Sequence, residues 1–428
     1  MRVGRAYPAG MLAAVLLIPG CWVLTKDEIA QHDLGLAGTE GDADADTDAD
    51  TDGTDTDTDG TDTDTDTDTD VPPVDCGSEA LPVWPQRLSV ANVAGGERLV
   101  TGYFLENATA GLAVSTPTQT YIGQSIVVNG DIEFASTLVP RNAPATDLSV
   151  VETVEGLIPP LVAHAEPAGS DITLLQDADF PMLSPYAVLG SPPTSAHGGE
   201  ITGDMYTDLV SVSEETSTVT MLQGSDLGVF AQVDVASGVP GGIVRVADLD
   251  GNGVEEVISV DNSGTVRAWR YTGSMPSPFE LLDQVLIADA TVPAALVTGD
   301  FDADGNLDVA VAMPASGEIH VLRGTGRGKL DAWAVLTSVA DPQDLLALEL
   351  GTMGCASLVA VDLEGGKVVA LQSQGDGTFA APYAMMTFDL AEKERPIATG
   401  VADFDGKGAL DVVTLTNAGS IYVAAGVK

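Results

Sequence analysis

Cationic side chains are scarce in this chain: 17 Lys and Arg stand against 64 Asp and Glu, for a formal net charge of −47. That balance repels the phosphates that dominate nucleic-acid affinity and anionic membrane surfaces alike, which excludes nucleic acid as a partner. Histidine is rarer still. Only His32, His164, His197 and His320 occur, none in a paired metal motif such as HExxH, and each reads as a surface or structural residue. A nucleophile elbow of the GxSxG kind is also missing. Aromatics make up 5% of the residues while glycine numbers 47, a balance that points to many turns and small, closely packed β side chains. The 44% apolar content is enough for a core, and 428 residues have room for two or three average domains or one long all-β unit.

The N-terminal apolar stretch AGMLAAVLLI, from Ala9 to Ile18, is too short to span a bilayer but has the length of a secretory h-region, with Arg2 and Arg5 before it. It runs into IPGC, where a small residue before a cysteine resembles the lipobox of bacterial lipoproteins. The resemblance implies that residues 1–20 are a lipoprotein signal peptide and that Cys21 is the lipid-modified mature N-terminus. Trp22 stands where the inner-membrane retention signal is usually Asp, so the resemblance further implies an exported protein, lipid-anchored at the outer membrane or cell surface. An ordinary signal peptide with a chance cysteine is the alternative, because Pro19 is uncommon in that motif. Residues 21–80 carry fourteen Asp and no Lys or Arg between Asp42 and Asp70. Like charges without apolar side chains make this an extended, disordered Thr/Asp-rich tether. Apart from Cys21, only Cys76 and Cys355 remain, and in an oxidising compartment they form either one disulfide or two free thiols.

Past residue 80 the chain repeats itself. ADLDGNGVEEVISV at Ala247, GDFDADGNLDVAV at Gly299 and ADFDGKGALDVVTL at Ala402 share acidic residues at alternate loop positions, glycine at the sixth position and an apolar run behind. Aligned on the ninth loop position, the copies fall at Gly111, Pro160, Asp208, Glu256, Asp308, Ser357 and Asp411, separated by 49, 48, 48, 52, 49 and 54 residues. Four copies read as degenerate. Among them TGDMYTDLVSV keeps Asp204 and Asp208 around a loop that reads as shortened by four residues, and LELGTMGCASLVAV keeps Gly354 but puts Ser357 at position nine. Because the period outlives the acids, the repeat is an architectural unit. Each unit continues through alternating apolar strands and turns rich in Gly, Asn and Ser, which are hairpin signals. A four-stranded antiparallel sheet of about fifty residues, repeated seven times, is a propeller, so the expected fold is an all-β seven-bladed β-propeller over residues 81–428. The seventh unit has only three strands of its own, and PQRLSVANVAG, from Pro85 to Gly95, has no partner in the first. That segment is expected to complete the seventh blade, since an open ring would expose a sheet edge.

The DxDxDG loops at Asp248, Asp300 and Asp403, set in fifty-residue repeats, resemble FG-GAP/VCBS repeats, the units of the integrin-α type propeller. Kelch and WD40 propellers fit worse, since the WD signature is missing and the glycine pairs keep no common period. A hard cation such as Ca²⁺ takes six to eight oxygens, which a short loop supplies from positions 1, 3, 5, 7 and 9, position 7 through its carbonyl. The candidate sets are Asp248, Asp250, Asn252, Val254 and Glu256; Asp300, Asp302, Asp304, Asn306 and Asp308; and Asp403, Asp405, Ala409 and Asp411. In the last, Lys407 holds position five, where its ammonium either replaces the ion or points away. Solvated acidic turns without metal are the alternative for all three. The resulting expectation is a monomeric, calcium-stabilised, non-enzymatic binding module displayed at the cell surface, with a protein or glycan ligand and membrane attachment through the lipid. The competing expectation is an envelope enzyme, a glycan lyase or quinone-type dehydrogenase, or an assembly scaffold. A catalytic propeller would converge His, Arg or Tyr on its central channel, and such a cluster at a deep pocket would overturn the binding reading.

Overall fold

The computed structural model describes Cys76 and residues 83–427, except 85–86, 104–109, 142–143, 152–160, 176–182, 188–191, 226–229, 238–241, 275–276, 288–291 and 351–353. The signal peptide, Cys21 and the acidic tether therefore lie outside the described residues, as does Pro160. The first strand is β1 (Arg87–Asn92). Blade one follows as β2 (Arg98–Gly102), β3 (Gly111–Ser115), β4 (Gln119–Val128) and β5 (Asp131–Pro140), and blade two as β6 (Asp147–Val151), β7 (Leu161–Glu166), β8 (Asp171–Leu175) and β9 (Leu183–Ala187). Blade three is β10 (Ser195–Gly199), β11 (Asp208–Ser213), β12 (Thr218–Gln223) and β13 (Ala231–Ser237), and blade four is β14 (Ile243–Ala247), β15 (Glu256–Val260), β16 (Thr265–Tyr271) and β17 (Phe279–Leu286). Blade five comprises β18 (Ala295–Gly299), β19 (Asp308–Met313), β20 (Glu318–Gly324) and β21 (Leu330–Leu336), and blade six β22 (Pro342–Glu349), β23 (Ala356–Asp362), β24 (Lys367–Leu371) and β25 (Tyr383–Thr387). Blade seven has β26 (Pro396–Ala402), β27 (Asp411–Thr416) and β28 (Ser420–Ala424) from the chain's end. Among the described residues there is no α-helix, only a 3₁₀ turn at Leu390–Glu392.

All seven sheets are four-stranded and antiparallel, and β1 fills the outer place of blade seven beside β28, with Arg87 opposite Ala424 and Asn92 opposite Ser420. The innermost strands β2, β6, β10, β14, β18, β22 and β26 each touch the next, and β26 returns to β2. The ring is closed, and the sequence expectation of a seven-bladed propeller completed by an N-terminal strand holds.

The ninth loop position now has a structural meaning: Gly111, Asp208, Glu256, Asp308 and Asp411 each open the second strand of a blade. These second strands are buried on both faces. On β19, Val309, Val311 and Met313 pack with Ile258, Val260 and Val266 of blade four, while Ala310 and Ala312 pack with Leu358, Ala360 and Val369 of blade six. A strand buried on both sides reads as a continuous apolar run instead of an alternation, which is why LDVAVAM recurs with so little polarity. Each inter-blade gap is filled in this way, so burial is shared between neighbours and no blade holds its core alone.

Candidate functional site

The acidic loops join the first strand of a blade to the second, so they all lie at one end of the ring. Their most buried carboxylate is the one at position nine. Asp308 is fully buried; its Oδ2 accepts the Phe301 N–H at 2.8 Å and its Oδ1 the Gly324 N–H at 2.8 Å. Asp411 repeats this with Phe404 and Gly426, and Asp208 with Ile201 and Gly224. One oxygen thus holds position two of the loop and the other ties the loop to the end of the third strand. Glycine ends that strand because a Cβ on Gly224, Gly324 or Gly426 would sit 2.0–2.3 Å from the carbonyl of position eight. Position two, which the sequence reading passed over, is an apolar plug: Ile201, Leu249, Phe301 and Phe404 are buried in the gap between blades. Position one caps the turn, as where Asp248 accepts the Asn252 and Gly253 amides. Glycine at position six takes φ values of +84° at Gly253 and Gly305 and +78° at Gly408, a region that burdens residues with a Cβ.

Carboxylate oxygens from Asp248, Asp250 and Glu256 come within 4.8 Å of one another, as do those of Asp300, Asp302 and Asp304, and of Asp403, Asp405 and Asp411. Such groups could hold a metal ion. Val254, Asn306 and Ala409 occupy the seventh positions between them. Asp308, though expected as a ligand, is not among the three carboxylates that converge in its loop. Blade five fits a cation in a further respect: Asp300 Oδ1 is buried without a hydrogen-bond donor.

A fourth cluster, Glu200, Asp204 and Asp208, overturns the reading of blade three as a shortened, degenerate loop. The loop has full length, with Glu200 at position one: its Oε1 accepts the Gly203 and Asp204 amides, and its Oε2 is buried without a partner. Met205 occupies position six at φ +72°. Three substitutions hid this loop from the alignment, since Glu replaces Asp at position one, Thr202 the acid at position three and Met205 the glycine. Its plug Ile201 was the signal available in the sequence.

Each loop also carries an internal donor from the chain. Arg323, near the end of β20, bonds Asp302 and Asp304, both at 2.7 Å, and lies over Trp333. Arg270 bonds Asp250 and, at 3.3 Å, Glu256. Lys407 does not point away: its Nζ lies 2.6 Å from Asp405 Oδ2. Blade three has only the neutral Gln223 amide, 2.8 Å from Asp204. Carboxylates still outnumber cations in every loop. Burial pushes the Asp308 carboxyl up to about 7, and pushes Asp411 up to about 6; burial and the neighbouring Asp304 raise Asp302 to about 6.

In blade six the loop keeps only Glu349, at position one, and Cys355 stands at position seven. It is bonded to Cys76, with Cα atoms 5.9 Å apart. The Cys76 carbonyl in turn accepts from the Gln372 amide at 3.1 Å. A covalent link thus braces a loop left with a single carboxylate.

At the opposite end of the ring, where the innermost strands begin, the channel widens into a funnel of about 1050 Å³. On one side Asp147 of blade two accepts from Ser195 of blade three and pairs with Arg245 of blade four at 3.4 Å. On the other, Asp344 of blade six accepts the Thr399 N–H at 3.0 Å, and burial among the inner strands pushes its carboxyl up to about 6. His197 lies on β10 nearby; its ring bonds the Gly198 carbonyl at 3.0 Å, and burial, then Arg245, pushes it down to about 4. Of the residue types that a catalytic propeller would converge on its channel, Arg98 and Arg245 line the funnel, and neither histidine nor tyrosine does among the described residues. His164 is a buried structural residue between Thr120 and Thr173, and His320 bonds Glu318.

Closed sheets around a channel, with acidic turns between first and second strands, define a seven-bladed β-propeller. Within it, residues 248–311 match the FG-GAP-like repeat family. No curated protein matches the sequence. Among solved structures, BBS1N in complex with ARL6DN is similar at TM-score 0.57 and 14% identity, over 81% of this chain and 97% of that one. A Lactobacillus plantarum protein follows at 0.53 and 16%, over 73% and 89%, and virginiamycin B lyase from Staphylococcus aureus at 0.51 and 12%, over 79% and 98%. These likenesses concern the fold alone.

Proposed function

We propose that this protein is a calcium-stabilised, non-enzymatic binding module, held off an outer membrane by a lipidated Cys21 and the acidic tether, and presenting its propeller to a protein or glycan partner. The observation that carries the calcium reading is the recurrence of one carboxylate cluster at one loop position in four blades. Asp248, Asp250, Asn252, Val254 and Glu256 would hold one ion and Asp300, Asp302, Asp304 and Asn306 another. The loops of blades three and seven would hold further ions, the latter only if Lys407 yields. The hard-oxygen donor set and adaptable loop geometry suit Ca²⁺ better than Mg²⁺, which demands a stricter octahedron.

Thermal unfolding of the full chain against calcium, with magnesium as the control, tests this. Calcium at 100 times its dissociation constant adds about 2.7 kcal/mol per site bound only in the folded state. A melting temperature indifferent to calcium would remove the metal assignment. A second reading, an enzyme working in the funnel, is favoured by the Arg98, Asp344 and Arg245 gathering there. Ser195 in the funnel is not activated as a nucleophile, being buried and donating its hydrogen bond to Asp147 rather than to a histidine.

A further inference from the structure

We propose that the funnel captures the free C-terminus of a peptide with aliphatic terminal residues, Arg98 receiving its carboxylate. This rests on the binding-module reading and names the partner class. The charges of the funnel are unequally committed. Arg245 is paired with Asp147, and Glu214 accepts from Asn262. Arg98, exposed in the funnel wall, makes no ion pair and no side-chain hydrogen bond among the described residues. Asp344 faces it closely enough to feel its charge, and the Asp344 oxygens take only the Thr399 amide and that of its own neighbour Leu345. A planar guanidinium with its donors free is suited to bidentate capture of a carboxylate. Asp344 offers acceptor capacity for N–H groups behind it.

The walls select among carboxylates. Val100, Leu148, Ile243, Val297 and Leu345 line the funnel with aliphatic carbon, and no aromatic ring lines it among the described residues. A sugar acid or nucleotide would find no ring to stack on, whereas Leu or Val side chains would find matching surface. A volume of about 1050 Å³ lies at the upper end of small-ligand pockets, roughly 300–1,000 Å³, and admits several residues. The rim adds direction: Glu97 and Glu214 are exposed there, and the whole chain is strongly acidic, so basic residues upstream of the carboxylate are favoured by charge complementarity.

The test is fluorescence anisotropy of the full chain in calcium with a labelled Lys-Lys-Ala-Val-Leu peptide. One arm uses the free acid, one the C-terminal amide, and one an unlabelled uronic-acid oligosaccharide as competitor. The expected result is saturable one-to-one binding of the acid, weaker by about tenfold or more for the amide, with the same loss for Arg98→Ala and a smaller loss for Arg98→Lys. Circular dichroism confirms that both variants fold. Equal binding of acid and amide, no binding to a folded wild type, or displacement by the oligosaccharide at lower concentration than by free peptide would overturn the inference. Absent binding with calcium-dependent melting intact leaves the module reading standing. Bound peptide that is shortened, seen by mass spectrometry, keeps the carboxylate site and overturns the non-enzymatic reading instead.

Discussion

Arg323 shows how a single side chain alters the meaning of an acidic loop. Its guanidinium reaches from β20 into the blade-five cluster and neutralises part of the repulsion that an ion would otherwise relieve. Because the side chain is nearly half exposed, its pairs are worth little in water, about 0.2–1 kcal/mol. Arg323→Ala is therefore expected to lower metal-free stability by no more than about 1 kcal/mol while tightening calcium binding, since the ion no longer competes with a resident cation. Calorimetric titration checks both; weaker calcium binding in the variant would make Arg323 a support of the site. Lys407 and Arg270 occupy comparable places, while Gln223 leaves blade three without a resident cation. The loop dismissed on sequence is thus the one whose carboxylates meet no competing charge. The strained Ala303, at φ +57°, and Met205 mark where these turns tolerate a Cβ in a glycine-favouring conformation.

The turn between first and second strands is held by side chains of its own. The position-nine carboxylate staples it to the third strand and the position-two side chain plugs it into the neighbouring blade, so the loop has a defined shape before any ion arrives. The same burial makes the loops pH-sensitive. Asp308 titrates near 7 and Asp302 and Asp411 near 6 in the fold, against about 3.9 in the unfolded chain. Each binds its proton more tightly when folded, so its contribution is complete below about pH 4 and is lost as pH rises towards 7. In chelator, the melting temperature is expected to fall between pH 5 and pH 8. Calcium, which requires ionised oxygens, should flatten that slope, and Asp308→Asn should reduce it. A slope of the same size in Asp308→Asn and wild type would separate it from this carboxylate.

Closure governs the ring. Each blade buries its faces against its neighbours, so blade seven without β1 would leave β28 as an open edge and weaken the gaps on both sides. The Cys76–Cys355 bond ties the segment preceding β1 to blade six, 279 residues away in the chain. Reduction is expected to cost about 2–4 kcal/mol, the usual range for a native disulfide, and to be read as a lower denaturant midpoint in dithiothreitol that Cys76→Ser reproduces. A midpoint indifferent to reductant would leave β1 and the blade contacts as the sole closure. The acidic loops and the funnel lie at opposite ends of the innermost strands, so the proposed metal binding and the proposed ligand capture are separable by mutation.

Period and pattern alone carried the number of blades, the all-β class and the closing strand, because each depends on local hairpin signals repeated along the chain. They also carried the three best-preserved loops, whose acid spacing is local. The blade-three loop was hard to read because Glu200 replaces Asp at position one and Met205 replaces the glycine; Ile201 repeats the apolar second position of the other loops, but the gap it plugs against blade four exists only in the fold. The role of Asp308 as a staple needed Gly324, sixteen residues on, to be brought back beside it. Arg98 and Asp344 are 246 positions apart and face each other only because seven innermost strands share one axis. Local chemistry repeats along a chain and can be read from it; convergence on a channel arises from closure, and only the folded ring brings it about.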